Sequence, residues 1–116
     1  MNVGQHLDYD ALNALRDVME DSFELLIDTF IQDSTTRLVK LQEMAGNPTR
    51  DSDAIRRAAH SFKGSCGNMG APHLTHLCTT IELKAMAADF DNLVVEVQAV
   101  EDEFLIVKQL LRTFLG

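Results

Sequence analysis

The chain is poor in basic residues, with ten Lys and Arg against eighteen Asp and Glu and a net charge of −8 with neutral histidines. That balance disfavours nucleic acid and anionic membrane as partners and favours another protein. Uninterrupted apolar runs are short as well. None approaches the roughly 20 residues that span a bilayer, and the polar N-terminus does not read as a signal peptide. A cytoplasmic location is the expectation.

Cysteines number only two, Cys66 and Cys78. Both fall on apolar helix faces and read as reduced core residues rather than as a disulfide. Together with His73 and His76 they match no familiar zinc spacing, and Cys66 faces inward, so no metal site is expected. Also missing are a glycine-rich nucleotide loop with its lysine and a cluster of aspartates able to hold a catalytic Mg²⁺. Neither ATP binding nor ATP hydrolysis is expected, and no cofactor. At 116 residues the chain reads as one domain, 1–116, long enough for a real core but too short to add a nucleotide-binding kinase domain.

Strand signals are almost absent, and after Tyr9 the apolar periodicity is helical nearly everywhere. A short first helix is expected near Tyr9 to Val18, using Leu12, Leu15 and Met19 as a cap on a bundle. The next should begin near Asp21 or Ser22 and run to about Ala45, with Phe23, Ile27, Phe30, Ser34, Leu38 and Leu41 on one stripe and Gly46-Asn47-Pro48 as its end. Leu25 and Val39 fall off that stripe. Leu25 reads as packed against the cap, and Val39 is open between an ordinary surface residue and part of an apolar rim for a partner helix.

Asp51 or Ser52 can cap a third long segment that ends at Met69 with Gly70 as terminator. Pro72 suits the first turn of the following helix, which places Leu74, Leu77, Cys78, Ile81 and Ala85 along one face and fades near Ala88. Asp91 or Asn92 opens the last helix, where Leu93, Val97, Val100, Phe104, Val107, Leu111 and Phe114 repeat at three and four residues. Four helices of roughly 15 to 25 residues with short connections predict an all-α, antiparallel, up-down-up-down four-helix bundle with a short N-terminal capping helix.

The most informative stretch is Ala58-Ala59-His60-Ser61-Phe62-Lys63-Gly64-Ser65-Cys66-Gly67-Asn68-Met69-Gly70. At roughly 100° per residue, Ile55, Ala59, Phe62, Cys66 and Met69 cluster on one side and form the buried face. His60 lies about 140° from that face, with Lys63, Gly64 and Gly67 each within about 60° of it. The imidazole should stand in water beside a strip bare of side chains. Each glycine in a helix interior costs roughly 0.5 to 1 kcal/mol relative to alanine, so two within four residues call for a compensating reason. Close approach by a partner is one. The competing explanation is tight packing of the glycines against a neighbouring helix, with His60 an ordinary surface histidine.

The run AAHSFKGSCGNMGAPHLTHLCTTIE, Ala58 to Glu82, closely resembles histidine-containing phosphotransfer (HPt) domains of multistep two-component relays. Its core reads His-x-x-Lys-Gly followed by glycines and a Leu-Cys-x-x-Ile-Glu segment, and the likeness in organisation spans nearly the whole chain. The resemblance implies a bundle that acts as a phosphoryl carrier and not as an enzyme. Its exposed histidine, here His60, takes a phosphoryl group from an aspartyl phosphate and passes it to another aspartate. The implied partners are receiver domains of hybrid sensor kinases and response regulators, which would bring the Mg²⁺.

The residues fit that chemistry on their own terms. Histidine titrates near 6.5, so a neutral imidazole is available to attack phosphorus through one nitrogen while the other stays protonated. Lys63 can attract the incoming group or be a solvated surface lysine. Glu82, where similar domains often carry a glutamine or glutamate, can accept the second ring N–H, or be solvated or paired with Lys84 or Lys63. Gly64 and Gly67 are the expected docking strip, on a protein expected to be a monomer. Two other readings stand beside this one: a non-phosphorylated helical interaction module that binds receiver-like proteins, and the phosphotransfer domain of a chemotaxis-type histidine kinase. The initial methionine and closed set of helices favour a free-standing protein.

Overall fold

In the computed structural model, which describes residues 2–116, every regular element is helical. The elements are α1 (Val3–His6), α2 (Tyr9–Met19), a single 3-10 turn at Glu20–Ser22, α3 (Phe23–Gly46), α4 (Ser52–Met69), α5 (Pro72–Met86) and α6 (Leu93–Leu115). The four long helices pack as a ring in which α3 touches α4 and α6, and α5 touches the same two. The longest dimension, 44 Å, exceeds the roughly 36 Å length of the 24-residue α3 by little, as side-by-side helices require.

Local chemistry sets the boundaries. The Ala54 amide donates to Asp51 Oδ1 at 3.0 Å and so starts α4, while Gly70 ends it with φ 76°. That left-handed backbone is open to glycine at no steric cost. Its carbonyl accepts the Asp8 amide at 2.8 Å, which ties the N-terminal segment to the α4–α5 turn. Pro72 occupies the first turn of α5. The last helix opens at Asn92, as the sequence suggests, without a side-chain cap bond.

The core is a single cluster fed by all four long helices and by Leu7 and Leu12. The stripes anticipated for α3 and α4 are buried, with Ile31 and Ala45 added on α3, and so is that of α6 as far as Leu111. Phe62 is fully buried, and Phe114 is partly buried where it meets Tyr9 and Phe23 with ring centroids 5.8 and 5.9 Å away. Those rings hold α2 across the ends of α3 and α6. The adjoining Cys66 and Cys78 are both buried, and the contact between them together with burial pushes the Cys66 thiol up, so it stays protonated in the core.

Two expectations need correction. A further helical turn, α1, precedes the expected first helix, because Asn2 and Gln5 form a reciprocal capping box and Leu7 is buried behind it. Leu25 does not pack against the cap and is 68 % exposed; α2 lies over Leu26 instead, whose side chain borders a groove with Leu15 and Met19. Val39 is exposed on α3.

Candidate functional site

The inward side of α4 is fixed by Ile55, Ala59, Phe62, Cys66 and Met69, all buried, and this turns His60 outward. Its side chain is 62 % exposed. Across the α4–α5 seam stands Glu82, one turn after Cys78 and just short of Ala85 on the buried face of α5, with its side chain 10 % exposed. A carboxylate so placed loses water and must be repaid by donors. Two reach it from α4: His60 Nδ1 lies 2.6 Å from Oε2, and Lys63 Nζ donates to Oε1 at 2.7 Å. His60 and Lys63 are three residues apart, so both project from one side of α4 toward the same point on α5.

The electrostatics of this triad fix its protonation pattern. The Lys63 ammonium, then the His60 ring, hold the Glu82 carboxyl below the usual glutamate range against the opposing effect of burial. An ionised carboxylate only accepts hydrogen bonds, so Nδ1 is the donor in the His60–Glu82 bond. In the neutral ring the lone pair is then on Nε2, which has no partner among the described residues. The arrangement orients an exposed imidazole with its nucleophilic nitrogen directed away from the carboxylate.

Of the alternatives the sequence left open for Glu82, the solvated one is excluded by burial. The pairing with Lys84 does not form either, because Lys84 bonds Glu96 at 2.6 Å. Orientation of His60 and pairing with Lys63 both occur, on different oxygens of one carboxylate. Lys63 is therefore engaged with Glu82 and 30 % exposed rather than standing free beside the ring.

Gly64 and Gly67 lie on the same exposed strip as His60. A Cβ placed on either would meet nothing within 4 Å. Packing within the chain thus gives no reason for glycine at these positions, and the tight-packing explanation is set aside.

A second histidine–glutamate pair escaped the sequence reading. His6 Nδ1 on α1 lies 2.7 Å from Glu103 Oε2 on α6, with side chains only 14 % and 5 % exposed. The signal was present in α6, where Glu103 interrupts an otherwise apolar stripe between Val100 and Val107. Its partner, 97 residues away, could not be named from spacing.

An all-helical bundle that presents an oriented, solvent-facing histidine on a glycine-bared helix has the fold and the exposed ring that the histidine-phosphotransfer class requires. The Hpt domain family matches residues 25–113, and the chain belongs to that family. Among solved structures, histidine-containing phosphotransfer protein B from Pseudomonas aeruginosa PAO1 is 39 % identical, with 93 % of this chain and 92 % of that one covered at a TM-score of 0.86. The maize histidine-containing phosphotransfer protein ZmHP2 shares the fold at 20 % identity and a TM-score of 0.79, over 90 % of this chain and 82 % of that one. The Medicago truncatula protein MtHPt2 does so at 23 % identity and 0.83, over 94 % and 76 %. No curated protein sequence matches. None of the helices among the described residues is long and apolar enough to cross a membrane.

Proposed function

We propose that this protein is a phosphoryl carrier, which holds the group on His60 between aspartates of receiver domains in a multistep phosphorelay. The observation that carries this reading is the 2.6 Å bond from His60 Nδ1 to Glu82, which leaves Nε2 open on an exposed ring.

The chemistry is a displacement at phosphorus. The Nε2 lone pair forms a bond to the phosphorus of an aspartyl phosphate as the acyl P–O bond breaks, and the aspartate leaves as carboxylate. No proton has to be removed first, because Nδ1–H remains in place. The ring gains positive charge in this step, and the Glu82 carboxylate at Nδ1 stabilises that charge. Lys63 keeps Glu82 ionised and, one turn from His60 on α4, neutralises its carboxylate so that the pair does not repel the bound phosphoryl group. The return step runs the same atoms in reverse toward a second aspartate.

The divalent cation belongs to the receiver in this account, and the chain contributes neither nucleotide site nor metal. Gly64 and Gly67 leave room for the receiver to approach. The finer architecture we assign is an antiparallel up-down-up-down bundle capped by the N-terminal helices, acting as one unit over 1–116, monomeric so that His60 stays open on both legs of the relay, and cytoplasmic. The experiment is to mix the purified protein with phosphorylated receiver domains and Mg²⁺ and to locate acid-labile phosphate by intact mass and peptide mapping. Transfer to His60 that is absent in His60→Gln supports the reading, and binding without transfer by any receiver contradicts it.

A further inference from the structure

Most cations of this acidic chain are engaged internally. Lys63 and Lys84 bond Glu82 and Glu96, Arg56 and Arg57 share Asp53, Arg50 donates to the carbonyls of Ala45 and Asn47, and Arg16 lies over the Phe114 ring. Arg37 and Lys40 on α3 have no ion pair among the described residues. Both line an open cleft of about 640 Å³ between α3 and α4, and Arg57 lines it from the opposite wall. Asp53 is shared by two guanidiniums, so it neutralises only one of them. Asp33 is the single carboxylate of the lining, while Thr36 and Ser61 add hydroxyls. On a protein of net charge −8 this cleft is a local reversal of sign.

Its position relates it to the reactive histidine. Ser61 follows His60 directly and Arg57 precedes it by one turn, so the cleft opens along the α3 flank of the ring. With neighbouring helix axes about 8 to 10 Å apart, the α3 cations lie roughly 10 to 15 Å from the imidazole. A partner whose footprint of about 800 Å² is centred on His60 reaches this cleft as well.

We infer that the cleft formed by Arg37, Lys40 and Arg57 receives an acidic element of the receiver, one carrying two or more carboxylates roughly 10 to 15 Å from its phosphorylated aspartate. This rests on the proposed function, from which the identity of the partner class comes. The physical basis is orientation. The overall charge repels an acidic partner, and the cleft reverses that repulsion on the face that brings the aspartate to Nε2. Lys108 and Arg112, likewise without an ion pair among the described residues, lie on α6 away from that face. The same contact distinguishes receivers with the matching carboxylates from those without.

The test measures the Kd of the receiver domain that binds the wild-type protein most tightly in a purified panel, at several salt concentrations. Arg37→Glu/Lys40→Glu should weaken binding by about 30-fold or more, and the gentler Arg37→Gln/Lys40→Gln by about 5-fold. Lys108→Glu/Arg112→Glu makes the same change in net charge on α6, which is diagonal to α4 in the helix ring, and should change Kd by less than about 3-fold. The wild-type Kd should rise with salt and that of the cleft variants should respond less. Equal losses in the α6 and cleft variants, an unchanged Kd in both cleft variants, or no binding by any receiver would overturn the inference. Phosphoryl transfer is followed in the same mixtures. Cleft-dependent binding without transfer to His60 would refute the carrier reading and leave the docking site standing, whereas transfer with cleft-independent binding would do the reverse.

Discussion

The molecule contains two histidine–glutamate pairs of nearly the same geometry and opposite fate. His60 Nδ1 to Glu82 Oε2 spans 2.6 Å, and His6 Nδ1 to Glu103 Oε2 spans 2.7 Å. Both glutamates occupy inward positions on their helices. The His6 ring is enclosed between α1 and α6, so its bond fastens the N-terminal segment, while the His60 ring lies outside the bundle with only its Nδ1 side attached. Glu82 has in addition the Lys63 ammonium, and Glu103 has no such cation among the described residues. On the proposed reading, a hydrogen-bonded histidine serves as the phosphoryl acceptor when the second ring nitrogen is reachable and its carboxylate is held ionised.

The sharpest way to break this contrast is to exchange each ring for glutamine. His60→Gln should abolish phosphoryl acceptance while circular dichroism remains that of the wild type, and His6→Gln should leave the transfer rate within about 2-fold, since that ring is not at the site. Loss of transfer in both would erase the distinction. Next in size, Glu82→Ala should slow transfer from a receiver by about 10-fold, because the ring loses the acceptor that fixes its tautomer and orientation. Rapid-quench kinetics would decide, and an unchanged rate would reduce Glu82 to a structural partner of Lys63.

Stability should show the opposite ordering. His6→Ala strands the buried Glu103 carboxylate and should cost about 1 to 3 kcal/mol in urea unfolding, whereas His60→Ala should cost well under that, because Lys63 still holds Glu82. Glu82 also predicts a pH signature. In the unfolded chain it protonates near the usual value of about 4.3, while in the folded chain it stays ionised to lower pH. Its contribution is therefore complete above that value and is lost as pH falls from there through the depressed folded one. Urea midpoints between neutral and acid pH should show a steeper acid loss for the wild type than for Glu82→Gln. Smallest of all, Gly64→Ala should stabilise the protein by about 0.5 to 1 kcal/mol, since an added Cβ meets nothing. Gly64→Gln should fold equally well yet accept phosphate slowly, and normal transfer by that variant would deny the strip its docking role.

How much of this was written in the sequence depends on the range of the interaction. The α4 stripe, the outward azimuth of His60 and the Gly70 stop are local matters of helical period and cap chemistry, and they are legible in the sequence alone. The bond from His60 to Glu82 was one of several open options, because the pairing of two helices in register decides which cation reaches a carboxylate. The double use of Glu82 by His60 and Lys63 and the seclusion of Glu103 depend on burial, which a single sequence expresses only as a glutamate in an apolar stripe. The α1 turn was missed although its capping box was legible, since a four-residue helix has no periodicity to detect. Leu25 was misplaced for a related reason: a stripe gives the inward direction of α3 but not the azimuth at which α2 crosses it.

The central claim is that Glu82 holds Nδ1 so that Nε2 receives the phosphoryl group. It is tested most directly by long-range ¹H–¹⁵N NMR of the histidine rings before and after phosphorylation by a receiver. Phosphorus on His60 Nε2, with a retained Nδ1–H and an unaltered His6, is the result expected. Phosphorylation at Nδ1, or on any histidine other than His60, would contradict the account.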